Sequence, residues 1–169
     1  MRLSHPGVAF LDRDGTINVK ALDGEYIERP EDLVLLPRAA AGIRMLNDAG
    51  VRVAVVTNQR GIALDRMTEA DLAAVHERLK ALLEEEAGAH VDTIVHCPHN
   101  EGECSCRKPG TGMLLRVREL WPWVMFEHSA LIGDSRSDLE AGRALGIESI
   151  QIGVDTPDLA TVVAQLVTP

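Results

Sequence analysis

The chain has little positive charge to spare. Its 17 Lys and Arg stand against 26 Asp and Glu, for a formal net charge of -9. No basic patch stands out, which argues against nucleic acid as a partner. No apolar run approaches the length needed to span a bilayer, so no membrane partner is expected. The first strand pattern begins almost at the N-terminus, which leaves no room for a signal peptide, and a cytoplasmic location is expected. Cysteine is limited to three residues, Cys97, Cys104 and Cys106, an odd number that speaks against a disulfide scaffold. Aromatics make up only 3% of the chain while its apolar content is ordinary. Repeats, low-complexity segments and linkers are missing too, so 1–169 reads as one domain.

What is present is an alternation of short apolar runs with helical patterns. Strands are expected at Val8–Leu11, Val51–Val56, Val91–His96, Ser129–Ile132 and Ser149–Ile152. Between and after them, helices are expected from Pro37 to Gly50, from an N-cap at Thr68 to Gly88, over Thr111–Leu120, over Ser137–Leu145 and over Asp158–Val167. The stretch 16–36 is polar and irregular. This βαβα order predicts an α/β fold, a parallel sheet with helices on both faces.

The polar signatures fall at the carboxyl ends of these strands, the edge where open α/β sheets bind ligands. After the first strand comes Asp12-Arg13-Asp14-Gly15-Thr16. Positions two apart on an extended chain point the same way, so Asp12 and Asp14 can address one site. Two carboxylates that close call for a cation or a shared proton. Asp-x-Asp-Gly is also turn chemistry. After the second strand, Thr57-Asn58-Gln59-Arg60-Gly61 offers a hydroxyl and amides to an anion, or forms an ordinary turn. After the fourth, Gly133-Asp134-Ser135-Arg136-Ser137-Asp138 brings further acids to the same edge, while Asp134 or Ser135 could equally cap the next helix. Asp12, Asp14 and Asp134 together make an oxygen-rich set suited to Mg²⁺.

After the third strand, Cys97, His99, Cys104 and Cys106 lie within ten residues. Three thiols and an imidazole match a closed, structural Zn²⁺ set, with His96 a competing imidazole. Arg107 and Lys108 follow at once, and a metal-fixed loop would aim these cations at the acidic edge as phosphate ligands. His5, His76, His90 and His128 show no partner in sequence and read as surface or structural residues.

In this order, Asp12-x-Asp14-Gly-Thr, Thr57, Lys108 and Gly-Asp134-x3-Asp138 resemble the four motifs of the haloacid dehalogenase superfamily of phosphohydrolases. The resemblance spans residues 8 to 142. The strings Leu-Asp-Arg-Asp-Gly-Thr-Ile-Asn, Val-Thr-Asn-Gln-x-Gly-Ile-Ala and Cys-Pro-His … Cys-x-Cys-Arg-Lys-Pro are similar to a narrower group, the heptose 1,7-bisphosphate and histidinol-phosphate phosphatases. The resemblance implies a Rossmann-like core with a minimal cap. It implies Asp12 as a nucleophile forming an aspartyl phosphate, and Asp14 as the acid, protonated at attack, that then activates water. It implies Mg²⁺ on Asp12, the Asp14 carbonyl and Asp134. Thr57 and Lys108 would hold the phosphoryl group, Arg107 would contact the substrate beyond it, and Asn58 would add a hydrogen bond. A small phosphorylated metabolite is the expected partner. Thr-Ile-Asn and Gly-Met-Leu favour a heptose bisphosphate over histidinol phosphate, although Thr111 stands where the heptose group often has proline. Residues 19–29 should lie over the substrate. A module that kept the fold and zinc but lost turnover is the reading from another class. The role of Asp138 and the oligomeric state stay open.

Overall fold

A computed structural model describes residue 3 and residues 5–167. It contains a five-stranded sheet, all parallel, in the order β3-β2-β1-β4-β5. The strands are β1 (Val8–Leu11), β2 (Arg52–Asn58), β3 (Thr93–Cys97), β4 (Ala130–Gly133) and β5 (Glu148–Gln151). The helices are α1 (Ala39–Asp48), α2 (Glu69–Ala87), α3 (Gly112–Leu120), α4 (Arg136–Arg143) and α5 (Leu159–Val167). Two single 3₁₀ turns, Pro30–Asp32 and Phe126–His128, complete the described elements.

Alternation along the central strand builds the two layers. Ala9 and Leu11 of β1 pack with Val53 and Val55 of β2 beneath α1, α2 and α5. Val8 and Phe10 face the other way and pack with Val56, Met113, Leu114 and Leu131 beneath α3 and α4. All four residues of β1 are buried, as a strand covered on both faces requires. Each fully buried Val, Leu or Phe contributes about 1.5–3 kcal/mol relative to exposure, so the strand is anchored by its own side chains. Thr68 caps α2, its Oγ1 accepting from the Asp71 N–H while Asp71 Oδ2 accepts from the Thr68 N–H.

Two boundaries shift in a way that matters for function. β2 runs past Val56 to Asn58, so Thr57 and Asn58 are the end of a strand rather than a following turn. They pair with His96 and Cys97 of β3, whose last residue is itself a member of the cysteine set. Ladder pairing carries the strand beyond its apolar run, which is why hydrophobicity alone ends it early. The stretch 16–36 is irregular as expected, yet it is tied down: Ile17, Ile27 and Leu33 are buried in the core. Among the described residues, no helix is long and apolar enough to cross a membrane.

Candidate active site

The carboxyl ends of β1, β2 and β4 open into a cavity of about 310 Å³. Asp12, Asp14, Asn58, Arg107, Lys108, Asp134 and Asp138 line it, and residues 20–27 close its far side. Lys108 is its electrostatic centre. Its ammonium is buried and donates to Asp12 Oδ1 at 2.7 Å and to the Val56 carbonyl at 2.7 Å, and it lies 2.6 Å from Asp138 Oδ1. Burial opposes its charge, but Asp12 and Asp138 outweigh it and hold the ammonium above its usual range. Burial opposes the charge of Asp12 as well and drives its carboxyl up to about 7, with Lys108 opposing and Asp138 adding to the rise.

Asp138 thereby acquires two jobs. Its Oδ2 accepts from the Ser135 N–H at 3.1 Å and the Ser135 hydroxyl at 2.6 Å, securing the start of α4. Its Oδ1 faces Lys108. One oxygen of this carboxylate thus serves the start of α4 while the other faces the cavity's ammonium.

Asp14 does not lie idle beside Asp12. Its Oδ1 accepts from Arg13 Nη2 at 2.8 Å and Asn18 Nδ2 at 3.0 Å, and its Oδ2 accepts from Gln59 Nε2 at 2.9 Å. Burial would raise its carboxyl, but the Arg13 guanidinium and these three bonds hold it below the usual carboxylate value. The free protein thus keeps Asp14 ionised, whereas the role implied by the resemblance needs it protonated at attack. A proton must arrive with, or because of, the substrate's negative charge.

Gln59 also donates to Thr57 Oγ1 at 2.9 Å, so one amide links the threonine to Asp14. The Asn58 amide is committed to the Lys108 peptide: Nδ2 donates to the Lys108 carbonyl and Oδ1 accepts the Lys108 N–H. Asn58, expected to give the substrate a hydrogen bond, thus lines the cavity with both amide atoms bonded to the Lys108 peptide. Arg107 points one buried nitrogen, Nη1, toward no protein partner, while Nη2 lies 3.7 Å from Glu101. The burial of Arg13, the Gln59 bond to Asp14 and the Lys20 contact to Asp134 Oδ2 at 3.0 Å have no signal in the sequence.

Gly15 makes the acidic corner feasible. Its φ is +85°, and a Cβ there would overlap the Asp134 carboxylate. Asp12, Asp134 and Asp138 each bring a carboxylate oxygen within 4.8 Å of the others. Asp134 Oδ1 is buried with no hydrogen-bond partner, an arrangement suited to a cation.

A second ligand set sits beside this cavity. The sulfurs of Cys97, Cys104 and Cys106 lie 3.0–3.5 Å apart, and His99 Nδ1 lies 3.5 Å from Cys97 and 3.2 Å from Cys106. Tetrahedral Zn–S bonds of about 2.3 Å put ligands roughly 3.8 Å apart, so the set needs only a slight expansion to hold Zn²⁺. His96, the competing imidazole, instead pairs with Glu69 at 2.8 Å on the α2 side of β3. Crowding leaves the thiols unequal: burial and its sulfur neighbours push Cys106 up to about 12. Burial also works to raise Cys104, but hydrogen bonds bring it down to about 6. The Arg107 N–H reaches Cys104 Sγ at 3.4 Å, so the cluster touches the residue next to Lys108.

Residues 7–144 match the family model described as polynucleotide kinase 3 phosphatase. The chain belongs to this family. It has the haloacid dehalogenase fold and is a phosphatase. A D-glycero-beta-D-manno-heptose-1,7-bisphosphate 7-phosphatase of Rhodopseudomonas palustris is 43% identical over 147 residues, 82% of this chain and 79% of the relative. The protein of the same name from Pseudomonas putida is 43% identical over 144 residues, 85% of this chain and 80% of the relative. Among solved structures, the heptose 1,7-bisphosphate phosphatase of B. bronchiseptica complexed with magnesium and phosphate superposes with a TM-score of 0.84. It is 29% identical, with 98% of each chain covered.

Proposed function

We propose that this phosphatase removes the 7-phosphate of D-glycero-β-D-manno-heptose 1,7-bisphosphate through a phosphoryl group carried on Asp12. Relatives at 37–43% identity bear that β-anomer name, and those bearing the α name are 33–35% identical. The observation that carries the chemistry is Lys108, a buried ammonium held between Asp12 and Asp138. Phosphoryl transfer asks chiefly for positioning and charge neutralisation. With Lys108 on Asp12 Oδ1, Oδ2 is the oxygen that attacks phosphorus. The P–O bond to the sugar breaks, and Asp14 gives a proton to the departing oxygen. Asp14 then takes a proton from water, and that water releases phosphate from Asp12.

Thr57 and Lys108 steady the transferring group, and the unpartnered Arg107 Nη1 is placed to receive a substrate oxygen. Mg²⁺ suits the oxygen set of Asp12, Asp134 and the Asp14 backbone carbonyl, and would supply charge neutralisation at the phosphoryl group. Asp134 Oδ1, buried and unpartnered, supports that assignment. Zn²⁺ would be held by Cys97, His99, Cys104 and Cys106, fixing the loop that delivers Arg107 and Lys108.

Phosphate release from the heptose bisphosphate, from histidinol phosphate and from a 3′-phosphorylated oligonucleotide tests the substrate. The heptose should give the highest kcat/KM, and the acidic chain should disfavour the oligonucleotide. A higher kcat/KM for either competitor overturns the substrate assignment.

A further inference from the structure

Arg13 occupies the unnamed position between the two motif aspartates, and it is 0% exposed. Burying a guanidinium is costly, and replacing a buried ion pair by apolar packing is often neutral or stabilising. Stability alone therefore does not account for it. Its Nη2 donates to Asp14 Oδ1 at 2.8 Å. Its Nη1 lies 3.2 Å from His76 Nε2, on α2, while its Nε has no partner. Arginine is donor-only, so His76 Nε2 accepts, and its proton resides on Nδ1. Burial and the Arg13 charge hold His76 down to about 3, which keeps the imidazole neutral and able to accept.

The consequence appears at Asp14. A carboxylate has about four acceptor sites, two per oxygen. Oδ1 is filled by Arg13 and Asn18, while Oδ2 takes only Gln59. Oδ2 is also the oxygen linked through Gln59 to Thr57, on the phosphoryl side. The acceptor site left open for a proton is therefore on Oδ2.

We propose that His76 is a positioning residue: it braces Arg13 from α2, Arg13 locks Asp14 Oδ1, and Oδ2 is thereby presented to the leaving oxygen. The inference rests on the acid/base reading of Asp14. It assigns a function to a helix residue 63 positions away in sequence.

The test compares two substrates, because the proton matters unequally to them. A sugar alkoxide cannot leave without protonation, whereas p-nitrophenolate can. kcat/KM reports steps through cleavage of the P–O bond, so it isolates this demand. His76→Met removes the acceptor and keeps the bulk; His76→Gln restores an acceptor near the Nε2 position. His76→Met should lose roughly 10- to 100-fold in kcat/KM on the heptose bisphosphate, the scale of a misplaced group, and under about threefold on p-nitrophenyl phosphate. His76→Gln should recover most of the loss. Equal losses on both substrates, an unchanged His76→Met, or a His76→Gln as slow as His76→Met would overturn the proposal. Asp14→Asn is measured in parallel: if it keeps full activity on the sugar phosphate, the acid/base reading fails and the relay with it. If Asp14→Asn is inactive and His76→Met unchanged, only the relay fails. Should His76→Met not fold, Arg13→Lys carries the same test. It keeps the charge but gives up the two-nitrogen grip, so a substrate-selective loss supports the relay and an equal loss refutes it.

Discussion

Acidification should cost this protein stability through His76, and the amount follows from its burial. The imidazole titrates near 6.5 when free and is held down to about 3 in the fold. A base whose folded pKa is depressed binds its proton more readily in the unfolded chain. Its contribution is therefore fully present above 6.5 and is lost as pH falls toward 3. At pH 5 the loss is set by the unfolded value alone: about 1.5 units at 1.36 kcal/mol each, or about 2 kcal/mol. Asp12, raised to about 7, acts with the opposite sign between its ordinary 3.8 and 7, because there the folded state holds the extra proton. The wild-type curve alone would blur the two. The difference between wild type and His76→Gln isolates the histidine, since Asp12 is common to both. Urea titrations at pH 8 and pH 5 supply the assay. The stability gap between the proteins should change by about 2 kcal/mol, or about 1 M in midpoint for an m-value near 2 kcal/mol/M. A gap that is the same at both pH values would refute the claim that His76 is buried neutral against Arg13.

The remaining predictions concern the two metal sets. Gly15→Ala forces a Cβ into the Asp134 carboxylate at φ +85°, so it should raise the Mg²⁺ concentration needed for half activity, measured by metal titration, with circular dichroism unchanged. An unchanged titration would separate Asp134 from the cation. Protein purified without added metal should carry one Zn²⁺ per chain by elemental analysis. Cys104→Ser should lower activity by up to about 10²-fold through displaced Arg107 and Lys108, leaving the sheet intact. Zinc-free, fully active protein would leave the cysteines without that role.

The sheet is legible because β1, β2 and β4 carry short apolar runs, helical patterns separate the strands, and each signature sits at a strand end. Cys97, His99, Cys104 and Cys106 are legible as a set because the end of β3 and the loop that follows it carry all four within ten residues. Thr57 and Asn58 were misplaced into a turn, since hydrogen-bond pairing with β3 extends β2 past its apolar residues. Nothing local reveals that the Asn58 amide faces the Lys108 peptide, because the two residues lie 50 positions apart in sequence. Arg13 was passed over because an arginine between two aspartates reads as a solvated charge. It is buried, and its neighbour His76 is brought near only by the packing of α2. Asp138 reads in sequence only as a further acid near the start of a helix, and the fold alone shows one of its oxygens bonded to Ser135 and the other facing Lys108.

The central claim is that Asp12 takes the phosphoryl group. Asp14→Asn should stall breakdown of that intermediate, so the variant is mixed with a substrate that needs no protonated leaving group, p-nitrophenyl phosphate, and quenched in acid. Peptide mass spectrometry then locates the phosphoryl group. The account predicts it on Asp12, and its disappearance in the Asp12→Asn, Asp14→Asn double variant. Phosphoryl found on another residue, or turnover that persists at the wild-type rate in Asp12→Asn, would contradict it.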